Sequence, residues 1–448
     1  VQHLRHVLKL LPLQGATTST RDTQGAASLA LGYVLHWAFS PPLLNPKYVY
    51  SYILSPSLLT HFTAMNIHDF DAIRPIEPNE IGAAIDELFA EPQFCAIVQS
   101  FFKDVPVEAI KAKAKMCRTG LEIQKTFFYP LIKQLMAKCA SGLTLDAEAI
   151  PVSQRDKSYT FVSNHRDIVL DSALLDILLI DHQFNDSIEI AIGDNLLIYP
   201  WIKTLVRLNK SFIVQRSVGM REMLMSSKRM SEYMHFAIKE KHQGIWIAQR
   251  EGRAKDSNDR TQESILKMMT MGGEGTPLDR LKELNIVPLS ISYEYDPCDF
   301  LKAKEFQQKR DDAAFKKSRQ DDLVNMQTGI FGKKGHVHYR MAEPVNTWID
   351  QYAELPKNEF YKAVAARIDV AIHQGYEIYA NNYVALDLLN GNEAQAAHYT
   401  EEQKKAFEQY LQERIDMIDL PNKDVDFLRE RLLTMYANPL INQLKANA

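Results

Sequence analysis

Between residues 151 and 345, short β-branched and aromatic runs alternate with helical segments, and this alternation limits the chain to few folds. The runs are Tyr159–Val162, Ile188–Ile192, Phe212–Val214, Ile245–Ala248, Val287–Tyr293 and Val337–Met341. Such an order predicts an α/β fold, a largely parallel sheet covered by helices on both faces. Sheets of this kind present their chemistry beyond the C-terminal ends of the strands. At one such end, Ser163-Asn164-His165-Arg166-Asp167 joins the first run to an apolar helix carrying Leu170, Leu174, Leu175 and Leu178. A histidine followed by two carboxylates, Asp167 and Asp171, suits a general base held in one tautomer by an acidic partner. The plainer alternative is a helix N-terminus, with Asn164 or Asp167 as cap and His165 on the surface.

Four segments taken in order resemble a known family. Asn164-His165-Arg166 followed by an aspartate is similar to the first block of the glycerolipid acyltransferases, the lysophosphatidic acid and glycerol-3-phosphate acyltransferase superfamily. Ser211-Phe212-Ile213-Val214-Gln215-Arg216 is similar to the second block, an apolar strand ending in arginine. Trp246-Ile247-Ala248-Gln249-Arg250-Glu251-Gly252-Arg253 is similar to the third, and Ile286-Val287-Pro288-Leu289-Ser290 to the fourth. His338 to Val345 resembles the Glu-Pro strand that closes the catalytic domain. Two positions depart from the pattern. Five residues after the histidine, where the family places aspartate, stands Leu170, and Arg253 follows Gly252 with no residue between them.

The resemblance implies an O-acyltransferase of phospholipid biosynthesis. It would move a fatty acyl group from acyl-CoA or acyl carrier protein to a hydroxyl of a glycerol phosphate or lysophospholipid-type acceptor. His165 would be the base, oriented by Asp171 or Asp167. Asn164, Arg166, Arg216, Glu251, Gly252, Arg253 and Pro288 would line the substrate. Arginine is permanently charged and planar, so Arg216 and Arg253 suit an acceptor phosphate. Glycine at 252 permits close backbone approach, and Pro288 would shape a pocket wall at an edge or bulge. Direct attack by the alcohol requires no enzyme nucleophile, cofactor or metal, and the chain has no Gly-x-Ser-x-Gly elbow. A protein-kinase loop is excluded, because Ser172 stands where that motif needs asparagine. The competing class is a catalytically silent, peripheral lipid-binding protein on the same fold.

The 448 residues carry a formal net charge of −4, which gives no general attraction to nucleic acid or anionic lipid. Cys95, Cys117, Cys139 and Cys298 are widely spaced, the pattern of unpaired thiols in a reducing cytoplasm. No uninterrupted apolar run is long enough for a transmembrane helix, so the expected location is cytoplasmic, peripheral at the inner face of a membrane. Two stretches suit lipid contact: Leu196 to Ile202, and a helix placing Met220, Met223, Leu224, Met230, Met234 and Ile238 on one face. Lys302 to Arg319 reads as a solvated helix. Four regions follow. Residues 1–64 form an atypical extension with four basic residues, one acidic and no glutamate, read as sequence ahead of a start at Met65. A helical domain follows over 65–150, then the α/β acyltransferase domain over 151–345 and a helical region over 346–448.

Overall fold

The structure, a computed structural model, describes residues 65–194, 197, 199–215 and 220–448, without the side chains of Met220, Arg221 and Arg319. The expectations for residues 1–64, Leu196, Ile198, Arg216 and the side chain of Met220 fall outside the described residues. Seven strands make one sheet: β1 (Ala140–Asp146), β2 (Thr160–Ser163), β3 (Ile188–Gly193), β4 (Ser211–Val214), β5 (Gly244–Ala248), β6 (Ile286–Tyr293) and β7 (Gly335–Met341). Their order is β1-β7-β6-β2-β5-β3-β4. All neighbours are parallel except β6 and β7, so the chain has the α/β architecture that the alternation predicts. The central strands β2 and β6 are buried at every residue, because helices cover both of their faces.

β1 lies within the stretch read as helical. It is a half-buried edge strand, and its sequence Ala-Ser-Gly-Leu-Thr-Leu-Asp carries only two large apolar residues, too faint a period to stand out from the helix before it. Two apolar clusters organise the packing. One apolar core runs from Phe70 and Ile85 through Val162 and Trp246 to Ile368 and Tyr376, joining the N-terminal helices to the sheet. A second gathers Phe300 and Ala303 with Leu411, Leu432 and Tyr436 from the C-terminal helices. At its edge the buried Asp299 accepts hydrogen bonds from Tyr410 (2.6 Å), Tyr436 (2.8 Å) and Arg414 (2.5 Å).

The edge or bulge position expected for Pro288 is not found: it lies in β6, between β2 and β7. The register explains how proline is tolerated there. The β7 ladder ends at Leu289 opposite Met341, and the Pro288 carbonyl accepts from Ala342 N on that side at 2.9 Å. The N and C=O of one strand residue point the same way, so the missing N–H faces the place where β7 has stopped.

Lys302 also differs from its expected solvated setting. The helix Asp299–Asp311 buries Lys302, Glu305 and Gln307, and Lys302 forms an ion pair with Asp296. A buried lysine of this kind persists because a carboxylate compensates it. All four cysteines are free thiols, and three of them are buried. Among the described residues, no helix is long and apolar enough to cross a membrane.

Candidate active site

β2 ends at Ser163 and the next helix begins at Leu170, so Asn164 to Val169 form the connecting turn. Asn164 anchors that turn to β6. Its amide donates to the Ile291 carbonyl and its Oδ1 accepts from the Ile291 N–H, both at 2.8 Å. The side chain thus continues the strand pairing one step past β2, which commits its polar atoms to the scaffold. Asn164→Ala leaves a buried N–H and a buried C=O unpaired, an expected loss of about 2–4 kcal/mol in chemical denaturation.

Directly after it, His165 and Asp171 are both 0% exposed, with Nδ1 and Oδ2 2.7 Å apart. The same Oδ2 accepts the backbone N–H groups of Arg166 at 2.6 Å and Asp167 at 3.1 Å. Three donors on one oxygen hold the carboxylate and the ring in one arrangement. With the Nδ1 proton on the Asp171 side, the proton-accepting lone pair is on Nε2. The edge of Trp246 packs on the imidazole at 5.5 Å between centroids, and its indole N–H donates to Ser163 Oγ at 2.9 Å. Tyr339 donates to the Asp171 carbonyl at 2.9 Å, tying the helix start to β7.

Asp167 has a different role. Its Oδ1 accepts the N–H groups of Val169 and Leu170, each at 2.8 Å, so it caps the helix. Its Oδ2 rests against Gly329, where an added Cβ would come within 2.2 Å. Burial pushes its carboxyl above the ordinary range, and the Asp171 charge adds to the shift against Lys334 and the two cap bonds.

The long polar loop from Gln249 to Gln262 follows β5 and brings up the remaining groups. Gly252 has φ of 68°, the left-handed region that favours glycine. The Glu251 N–H donates to Gln262 Oε1 at 2.8 Å. Arg253 lies beside Asn325, with Nη2 to Oδ1 at 3.4 Å, and its Nη1 is buried without a hydrogen-bond partner. Burial works against its charge, yet Cys298, Asp167, Asp296 and Asp322 outweigh burial and hold its pKa above the ordinary value. Arg166 instead pairs with Asp259 at 2.8 Å.

The structure therefore brings His165, Asp167, Asn164 and Arg166 together in the turn and Asp171 at the helix start, with Arg253 within electrostatic reach of Asp167. Pro288 stands lower on the sheet, level with Val162. Glu251 lines a cavity of about 180 Å³ at the ends of β3, β4 and β5. Met230, Ile265 and Met268 form its apolar wall, with Arg250 and Gln262 at its polar side. The expected methionine face is split along its helix: Met230, Met234 and Ile238 are buried, while Leu224 is 64% exposed. The lipid-contact stretch divides similarly, with Trp201 and Ile202 buried and Tyr199 exposed.

No motif in the sequence marks Asp259, Tyr376 or Asp296. The unusual length and polarity of the Gln249–Gln262 loop is the one signal that pointed toward Asp259.

No protein-family model matches the chain, and a search among curated proteins finds no match. Among solved structures, the chain is similar to the 1-acyl-sn-glycerophosphate (LPA) acyltransferase PlsC from Thermotoga maritima. The likeness covers 65% of this chain and 92% of that one, at 14% identity and a TM-score of 0.33. A likeness at this level leaves the chain's function to be argued from its own residues.

Proposed function

We propose that the protein is an O-acyltransferase using His165 as general base. The observation that carries this reading is the buried His165–Asp171 pair at 2.7 Å, seated at a strand-to-helix turn. In the reaction, His165 Nε2 takes the proton of an acceptor hydroxyl as the oxygen bonds to the thioester carbonyl carbon. The tetrahedral intermediate then collapses with cleavage of the C–S bond, and the proton passes from Nε2 to the leaving thiolate. Asp171 stabilises the imidazolium formed between these steps.

Arg253 is the group best suited to an anionic acceptor. It is half-buried, has no salt bridge within 4.0 Å among the described residues, and keeps one buried N–H unpaired. The cavity beside Glu251 suits the acyl chain, because Met230 and Met268 can adapt to its shape. The exposed Tyr199, Leu224 and Met225 favour work at a membrane surface. Acyl-CoA and acyl carrier protein both fit as donors, with a glycerol phosphate or lysophospholipid as acceptor.

The test incubates the protein with palmitoyl-CoA or palmitoyl-acyl carrier protein and either glycerol 3-phosphate or lysophosphatidic acid, and follows products by mass spectrometry. Acyl ester formed with stoichiometric release of thiol is the expected result. If no combination gives ester, the reading fails, and the silent lipid-binding alternative on this fold takes its place.

A further inference from the structure

Arg166 and Asp259 form an ion pair that is almost wholly enclosed, with side chains 6% and 0% exposed. The pair is not saturated. Nη1 on the other arm of the guanidinium and Oδ1 on the other side of the carboxylate are both buried without a hydrogen-bond partner. An unpaired buried donor and an unpaired buried acceptor are each unfavourable. One group able both to donate and to accept would satisfy the two together.

The surrounding charge decides what that group is. Asp259, Asp296 and Asp171 all act on the Arg166 charge, and an arriving anion would meet the bare oxygen of Asp259. A hydroxyl has no such conflict, since it donates to Oδ1 and accepts from Nη1. The location points the same way. Arg166 directly follows the base, and its backbone N–H is bound to the carboxylate oxygen that orients His165.

We infer that Arg166 and Asp259 form a subsite for a second, unacylated hydroxyl of the acceptor. The inference rests on the acyl-transfer reading and adds a specificity-determining pair to it. Tyr376 and His373 are positioning residues for this subsite. The Tyr376 hydroxyl donates to Asp259 Oδ2 at 2.8 Å, and its ring lies 5.5 Å from the Arg166 guanidinium. His373 Nε2 contacts the Asp259 carbonyl at 3.0 Å. Both come from the C-terminal helical region, which thereby helps to build the site.

The experiment compares glycerol 3-phosphate with 3-hydroxypropyl phosphate, which lacks only the middle hydroxyl. Acyl transfer is measured as kcat/KM, and binding of each compound without donor is measured by calorimetry. The parental protein should prefer glycerol 3-phosphate by at least about a hundredfold, because a site built around a hydroxyl rejects the analogue lacking it. Asp259→Asn should bring that ratio below about tenfold. Tyr376→Phe, which removes a single hydroxyl, should lower it severalfold at nearly parental melting temperature; if Asp259→Asn does not fold, this variant decides.

Equal use of both acceptors by the parental protein, or an unchanged ratio in Tyr376→Phe, overturns the subsite and leaves the acyltransferase reading standing. Binding selective for glycerol 3-phosphate and dependent on Tyr376, with no acyl transfer, supports the subsite and overturns that reading. If neither compound binds, the subsite is refuted.

Discussion

Asp171→Asn is expected to lower turnover by about three to four decades while the protein stays folded. The Asp171 oxygen at 2.7 Å from His165 Nδ1 also receives two backbone N–H groups. An asparagine can present its oxygen or its NH2 there, but it carries no charge to stabilise an imidazolium. If the NH2 faces the ring, the imidazole proton moves to Nε2, and the base is lost in the wrong tautomer. Asp167→Asn should behave differently. Its amide oxygen can still accept from Val169 and Leu170, so the expected stability loss is below about 1 kcal/mol, with turnover within a few-fold of parental. Burial already works against a charge on Asp167, which makes its removal less costly. Melting temperature and steady-state rate for the two variants side by side decide the matter. An inactive Asp167→Asn beside a fully active Asp171→Asn would exchange the two roles.

Much of this turn was legible in the sequence, for physical reasons. A β-branched run, a polar turn and an apolar helix specify their own order, so the placement of His165 at the C-terminal end of a parallel strand followed directly. The partner was harder to read. The spacing to Asp171 is one residue longer than in the family that the turn resembles, and only the structure shows that carboxylate at the ring, with Asp167 as cap.

Other features were hidden because their causes are not local. β1 owes its strand state to pairing with β7, nearly two hundred residues away, and its own pattern is too weak to announce it. Lys302 sits in a run of charges that reads as solvated, and only the packing of that helix over Asp296 buries it. Asp259 and Tyr376 meet Arg166 across three separate elements, and no spacing along the chain records that meeting. The helical pattern after residue 346 was plain, but not its share in the site.

His165→Ala removes the base itself and should be about as damaging as Asp171→Asn. The ring bonds to Asp171 and packs against Trp246. Its loss exposes Asp171 to an unfilled space and costs some stability, so the comparison is made well below the melting temperature of the variant. Base catalysis contributes about two to four decades, and transfer should fall by that amount. The Asp171 carboxylate would still be held by two backbone N–H groups, but it has no ring to act through.

The most direct measurement is the initial rate of thiol release from palmitoyl-CoA with saturating glycerol 3-phosphate, for parental protein and His165→Ala at equal folded concentration. The predicted result is acceptor-dependent release by the parental protein and a rate at least about a hundredfold lower in the variant. Equal rates in the two proteins would contradict the assignment of His165 as the base.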